Sequence, residues 1–244
     1  MSKWTRYAIV SDVHGDMQDQ QAVRAFHAFC NDYRPQKRIL AGDLWDFRPL
    51  RKKADEHERA QTLQDDYKEG CEFFRAFAPQ VFTLGNHDHR IYRIAETANG
   101  IVADFAGAVV EQIEGMAERA KCEILPYDKR RGVYSLGKLN VMHGFFAGKF
   151  AAKQHAEHYG LCAFGHTHCV TEYNIPKYPH GQTAWNIGCL CNLDMEYDAA
   201  RPGSMAQRHG WAYGVVNERT GDFVIHLARE IGGRYVCSTE INWY

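Results

Sequence analysis

At 244 residues the chain is long enough to bury one substantial core, and its 45% apolar and 24% charged residues are those of an ordinary globular protein. A formal net charge of −1 excludes a protein-wide basic footprint for duplex nucleic acid, while leaving room for a local basic groove. Eight cysteines without a CxxC pair argue against a zinc ribbon, and no run of about 20 apolar residues suggests a membrane span. Met1-Ser2-Lys3-Trp4 carries no apolar signal region, so free thiols in a reducing cytoplasm are the expectation. With no repeat, low-complexity segment or linker, one domain over residues 1–244 is expected. Oligomeric state is not legible.

In chain order, Tyr7-Ala8-Ile9-Val10 reads as a strand ending in Asp12-x-His14. An extended segment points residues i and i+2 the same way, so this pair can grip one ion. An amphipathic helix follows, with Val23, Phe26, His27 and Phe29-Cys30 on or near its inner face, ending before Arg34-Pro35. Arg38 to Ala41 is the second strand and runs into Gly42-Asp43. Leu50 to Phe77 is charge-rich and helical in pattern, with Leu63, Tyr67, Cys71, Phe74 and Phe77 facing the core. Val81 to Leu84 is a short buried strand that turns at Gly85 into Asn86-His87-Asp88. Residues 90–120 read as helical with a break near Asn99-Gly100. Residues 122–126 and 133–136 read as strands joined by a charged hairpin turn at 128–132. Leu139 to Met142 leads to His143-Gly144, and a helix from Lys149 to Tyr159 carries His155 and His158 as surface residues. Leu161 to Phe164 leads to Gly165-His166-Thr167-His168. The remaining strands, 169–175, 183–187, 211–217 and 223–229, look antiparallel.

Five apolar runs thus end in groups that bind cations, and ligands of open α/β architectures sit beyond the carboxyl ends of strands. Imidazoles, carboxylates and an amide without a cysteine suit a pair of first-row divalent ions rather than a structural thiolate site. Two such ions share a water, lower its pKa and stabilise both ends of an in-line displacement at phosphorus.

The succession D-x-H, G-D, G-N-H-D, H-G and G-H-T-H, over about residues 7–190, resembles the calcineurin-like metallophosphoesterase superfamily. That resemblance implies an α/β/β/α sandwich of two mixed sheets, with metals at one edge. It implies that Asp12, His14, Asp43 and His168 hold one metal, that Asp43 bridges, and that Asn86, His143 and His166 complete the second. It implies His87 as the group that steadies the phosphate and protonates the leaving oxygen, with Asp88 orienting it. Manganese is the first expectation for both ions, with iron, zinc, nickel and magnesium as alternatives. Trp185-Asn186-Ile187-Gly188-Cys189 is similar to the family's later N-x-G segment, with the Cys as a departure. The superfamily also contains scaffold proteins that have lost ligands, whereas every metal position here is filled by a competent one.

The motif specifies the chemistry more firmly than the substrate. Phosphomonoesters, small or cyclic nucleotides, pyrophosphates and nucleic acid all stand as alternatives, with a phosphodiester in nucleic acid or a nucleotide favoured. Candidate substrate contacts are Arg48, His89, Arg90, Phe145 and Arg208, with Trp45, Phe47, Phe146, Arg201 and His209 on the same rim. Aromatics beside basic residues suit a base stacked near a phosphate.

Overall fold

The computed structural model describes residues 3–51, 56, 63–176, 181–193 and 205–238. Two sheets are stacked. The first has seven strands in the order β12-β11-β10-β1-β2-β3-β4. Here β1 is Trp4–Val10, β2 Lys37–Leu40, β3 Val81–Thr83 and β4 Glu123–Leu125, all parallel. Antiparallel β10 (Gly210–Asn217), β11 (Phe223–Ile231) and β12 (Arg234–Val236) extend it on the other side of β1. The second sheet has the order β5-β6-β7-β9-β8, from β5 (Tyr134–Leu136), β6 (Leu139–Met142), β7 (Cys162–Phe164), β8 (Val170–Ile175) and β9 (Gln182–Ile187). Its three central strands are parallel, with antiparallel neighbours at both edges.

The two-residue period of a strand builds the layers. Tyr7 and Ile9 of β1 join Ile39 and Val81 in an apolar layer completed from the second sheet by Leu139, Val141, Ala163 and Ile187. Ala8 and Val10 point the other way, into a cluster with Leu40 and Phe82 under the helices. Those helices are α1 (Gln20–Tyr33), α2 (Gln64–Phe77), α3 (His89–Thr97) and α4 (Ile101–Ala120). α1 starts where the Asp19 carboxylate accepts the Ala22 N–H at 2.8 Å, and it seats Phe26 and Phe29 against Trp211. On the far side, Met142, Cys162 and Phe164 pack on Ala156 of α5 (Ala151–Tyr159). The architecture is therefore the expected α/β/β/α sandwich, mixed in both sheets.

Four expectations need correction. Residues 122–126 and 133–136 do not form a hairpin. β4 lies at the edge of the first sheet and β5 at the edge of the second, because Leu125 and Leu136 both feed the layer between the sheets from opposite sides. The last strands are not uniformly antiparallel, since β9 runs parallel to β7. β12 was not anticipated. His155 is fully buried, stacked on Phe164 with 3.8 Å between ring centroids; His158 is exposed as expected. The helical reading of residues 50–77 is realised at Glu56 and from Gln64 onward, and residues 52–55 and 57–62 lie outside the described ones.

Candidate active site

The parallel strands β1, β2 and β3 of one sheet and β6 and β7 of the other deliver all five motifs to one edge. Convergence there does not come from a continued pleat. Nine described residues other than glycine take left-handed backbone, and five of them are Asp12, His14, Asp43, His166 and His168, at φ 50–70°. Three others, Arg34, Ala78 and Lys121, are helix C-caps, an ordinary place for it. Left-handed backbone costs an L-residue on the order of 1 kcal/mol or more, so the strain is concentrated where the side chains must converge. The loop after β1 is zipped to the loop after β2: the N–H groups of Val13 and His14 both donate to the Asp43 carbonyl, at 2.9 and 3.1 Å. Two glycines permit the approach. A Cβ at Gly85 would overlap the Asp43 carboxylate, and one at Gly165 would overlap Ser11 and the Asp12 carboxylate.

Each of the two central carboxylates is split in its duties. Asp43 Oδ1 accepts the His87 backbone N–H at 2.8 Å, while Oδ2 faces Nε2 of His143 at 3.1 Å, of His87 at 3.8 Å and of His14 at 4.0 Å. Asp12 Oδ2 accepts from the His166 N–H at 2.9 Å and from Ser11; Oδ1 is buried without a hydrogen bond, 3.1 Å from His168 Nε2. Around this frame lie two nests. In one, the Nε2 atoms of His14 and His168 are 3.2 Å apart beside Asp12. In the other, His143 Nε2 lies 3.0 Å from Asn86 Oδ1 and 3.2 Å from His166 Nδ1, as well as 3.1 Å from Asp43. One ring nitrogen carries at most one proton, which cannot serve three neighbours at once. A cation can. The seven residues expected as ligands are thus brought together, and the donor set and the orphaned Asp12 oxygen fit divalent ions.

Electrostatics reinforce this. Burial disfavours the charged forms, but the imidazoles around them outweigh it and hold Asp12, Asp43 and Asp46 well below the usual carboxylate range. For His143 burial is likewise opposed, by Asp43 and Asp12, and the ring is pushed up to about 9. His166 is driven down to about 4 by burial and by the neighbouring His143.

The two residues expected as a catalytic pair are not paired with each other. Asp88 does not orient His87. Its carboxylate accepts the backbone N–H groups of Asp43, Trp45 and Gly85 at 2.8–3.1 Å, bracing the loops after β2 and β3. Burial and the charge on Asp43 push it up to about 7. The partner of His87 Nδ1 is Asp46, which sequence reading missed. The left-handed turn at Asp43, which nothing in the composition marks, returns the chain so that the acid three residues on faces the same space. His87 keeps 17% of its side chain exposed, and burial lowers its pKa despite Asp43 and Asp46.

The rim also departs from expectation. Trp45 and Phe47 are fully buried core residues and cannot stack on a substrate. Arg48 is paired with Asp16 through two bonds of 2.9 and 2.8 Å and reaches Asp46, while Arg90 donates to the carbonyl and carboxylate of Asp46. Arg208 is exposed, its guanidinium on the carbonyls of Met205 and Gln207. His209 is buried, with Nε2 on the Cys191 carbonyl. Half-buried Phe145 stacks on Tyr127, whose ring lies 6.0 Å from His143, and the His89 ring also neighbours Tyr127, 6.1 Å between centroids. Arg201 lies outside the described residues.

A family model described as calcineurin-like phosphoesterase matches residues 5–145, more than half of the chain. The chain belongs to the calcineurin-like phosphoesterase family. Solved structures similar to this family member include an archaeal phosphodiesterase, at 16% identity over 91% of this chain and 99% of that one, TM-score 0.43. Vps29 from Entamoeba histolytica is 12% identical over 96% of this chain and 97% of its own, TM-score 0.47. A phosphatase from Mycoplasma pneumoniae is 11% identical over 94% of each chain, TM-score 0.46. A search of curated proteins returns no match. Among the described residues no helix is long and apolar enough to cross a membrane.

Proposed function

We propose that the chain is a two-metal phosphoesterase that hydrolyses phosphodiesters. The observation that carries this reading is Asp43, one oxygen fixed by the His87 N–H and the other set among histidines of both nests, as a carboxylate shared by two cations requires. Asp12, His14, Asp43 and His168 would hold one divalent ion, and Asn86, His143 and His166 with Asp43 the other. Manganese is the first choice for this imidazole, carboxylate and amide set, with iron, zinc, nickel and magnesium behind it. When bound, the pair supplies Lewis-acid stabilisation of phosphate oxygens and lowers the pKa of water.

The chain's own proton chemistry belongs to His87. Asp46 at Nδ1 fixes the tautomer and leaves Nε2 facing the centre. An arriving phosphate adds negative charge, which raises the ring's affinity for a second proton, and Nε2–H then passes it to the departing alcohol oxygen. The diester preference rests on the arginines. Arg48 and Arg90 are tied to Asp16 and Asp46, so neither guanidinium is set aside for the extra terminal charge of a monoester. Among diesters, a nucleotide or nucleic acid is the first choice, with Phe145 and Tyr127 as stacking surfaces, whereas Phe146 packs on His155 and His158 of α5.

The test is kcat/KM, with Mn²⁺, for bis-p-nitrophenyl phosphate against p-nitrophenyl phosphate, in the presence and absence of chelator. A diester preference lost in chelator and restored by Mn²⁺ supports the proposal. A monoester preference overturns the diester assignment, and turnover of neither with metal bound overturns the enzyme.

A further inference from the structure

Beside the first nest lies a buried thiol that the proposed chemistry leaves unused. Cys191 Sγ is 3.6 Å from Nδ1 of His168, and both residues are buried. His168 is oriented end to end: Nε2 points into the nest, 3.1 Å from Asp12 and 3.2 Å from His14, and Nδ1 points away to the sulfur. A ligating imidazole presents a lone pair at one nitrogen only if the other carries its proton, and the acceptor of that N–H fixes tautomer and tilt. That acceptor is ordinarily a carboxylate, a carbonyl or a water. Here the atom facing Nδ1 is a sulfur.

The position of that sulfur is well determined by the backbone. Cys191 forms an isolated bridge with Gln18, the Asn192 N–H donates to the Met17 carbonyl at 2.8 Å, and the Leu190 N–H donates to the Asp12 carbonyl at 3.0 Å. The Cys191 carbonyl accepts from His209 Nε2 at 2.9 Å. The segment is thus hung on the same loop that carries Asp12 and His14. The unpartnered Asp12 Oδ1 on the other side of the His168 ring is an independent sign that this nest receives a ligand.

We propose that Cys191 is the positioning partner of His168, accepting Nδ1–H so that Nε2 is held toward a cation in the nest with Asp12 and His14. This rests on the metal-centre reading above. A polarisable sulfur is a weaker acceptor than a carboxylate, so the ring is steered without being made strongly basic. Removing the sulfur frees the ring to rotate or to change tautomer, which weakens the nest without removing a ligand.

The experiment uses the full chain stripped by chelator and titrated with Co²⁺, reading d–d absorption and bound metal, in wild type, Cys191→Ala, Cys191→Ser and Cys30→Ala. Cys30 is a buried thiol near the C-terminal end of α1, outside the five motifs, and serves as the control for losing a core sulfur. Loss of an outer partner of a ligating His lowers metal affinity by about 10–100-fold, which is the effect expected of Cys191→Ala, with an altered d–d spectrum. Cys191→Ser should fall between it and wild type, and Cys30→Ala should match wild type. Unchanged affinity and spectrum in Cys191→Ala overturn the proposal, whereas a wild type that takes up no Co²⁺ overturns the metal centre itself. Should the Ala variant not fold, ring ¹⁵N shifts of His168 in Zn²⁺-loaded wild type decide: a protonated Nδ1 with metal on Nε2 is expected, and metal on Nδ1 overturns it.

Discussion

Three buried acids lie within a few residues of one another in space, and their surroundings give them different work. Asp46 faces His87, Asp88 faces only backbone N–H groups, and Asp66 caps the N–H groups of Asp46 and Phe47 at 3.0 and 2.6 Å. Asp46→Asn should therefore act on kcat, as His87→Ala does, each lowering it by about 10²–10⁴-fold at saturating metal. Bound metal should stay unchanged in His87→Ala, whereas Asp46 also lies 3.8 Å from Nδ1 of His14 and so touches the first nest. Asp88→Asn should act on stability, because an amide loses one acceptor and strands a backbone donor, at a cost of about 1–3 kcal/mol. Turnover and denaturant midpoints on the three variants separate the roles; an Asp88→Asn protein of normal stability with kcat cut as deeply as in Asp46→Asn would return the orienting role to Asp88. Asp66 makes a prediction in pH. Burial, with Asp46 and Asp16 nearby, pushes it up to about 6 from an ordinary 3.8. Between those values the folded chain keeps a proton that the unfolded chain releases, so this group's contribution is fully present below about pH 4 and is lost as pH rises through 6. At ~1.4 kcal/mol for each unit, the window carries up to about 3 kcal/mol. Asp12, Asp43 and Asp46, held low, slope the opposite way but cancel in a difference between variants. The stability of wild type minus that of Asp66→Asn should fall between pH 4 and 6 and then level; a flat difference would place the Asp66 carboxyl in its ordinary range.

At the scale of elements, the five strands that carry the motifs, their order along the chain and the group at each strand end were legible, because a short apolar run closed by Gly and a polar residue has few other uses. How the side chains meet was not. Asp12 and His14 converge through two left-handed kinks rather than the alternation of an extended segment, and a kink at a non-glycine residue leaves no composition signal. Trp45 and Phe47 look like rim aromatics in one dimension, yet the turn at Asp43 carries them back under the helices into the core. His155 looks like a surface residue of a charged helix. It is instead a strut, with Nε2 accepting the Phe145 N–H at 3.0 Å and Nδ1–H donating to the Ala151 carbonyl at 2.8 Å. Burial depresses its pKa to about 4, so it does this work as a neutral ring. The close approach of β7 to β1 gives a test of how elements make the site. In Gly165→Ala the new Cβ meets Ser11 and the Asp12 carboxylate, so the loops must part. Overpacking of this kind costs about 1–3 kcal/mol, and because Asp12 and His166 are moved directly, metal affinity should fall more than stability does. Equal metal content at limiting metal in the variant and wild type would show that the nests do not depend on this contact.

For the molecule as a whole, the proposed ligands are divided between the sheets. Asp12, His14, Asp43 and Asn86 follow strands of the first, whereas His143, His166 and His168 follow strands of the second. The apolar layer joins the sheets along their length, and at the ligand edge it gives way to buried carboxylates and imidazoles. Cations there would link one sheet to the other, so binding and stability should be coupled. A ligand that binds only the folded chain stabilises it by RT ln(1 + [L]/Kd), about 2.7 kcal/mol at one hundred times Kd. Thermal unfolding should therefore shift upward with added Mn²⁺, continue to rise with the logarithm of its concentration, and return to the lower value in chelator. Asp43→Asn should flatten most of that dependence, because the residue serves both nests, while a single-nest variant such as Asn86→Ala should retain part of it. The midpoint of Asn86→Ala plotted against log [Mn²⁺] distinguishes the cases. A residual slope near half that of wild type is expected for two ions held in separate nests. A slope abolished as fully as in Asp43→Asn would mean that the ions bind as one unit, and a slope equal to wild type would mean that the Asn86 nest takes no metal.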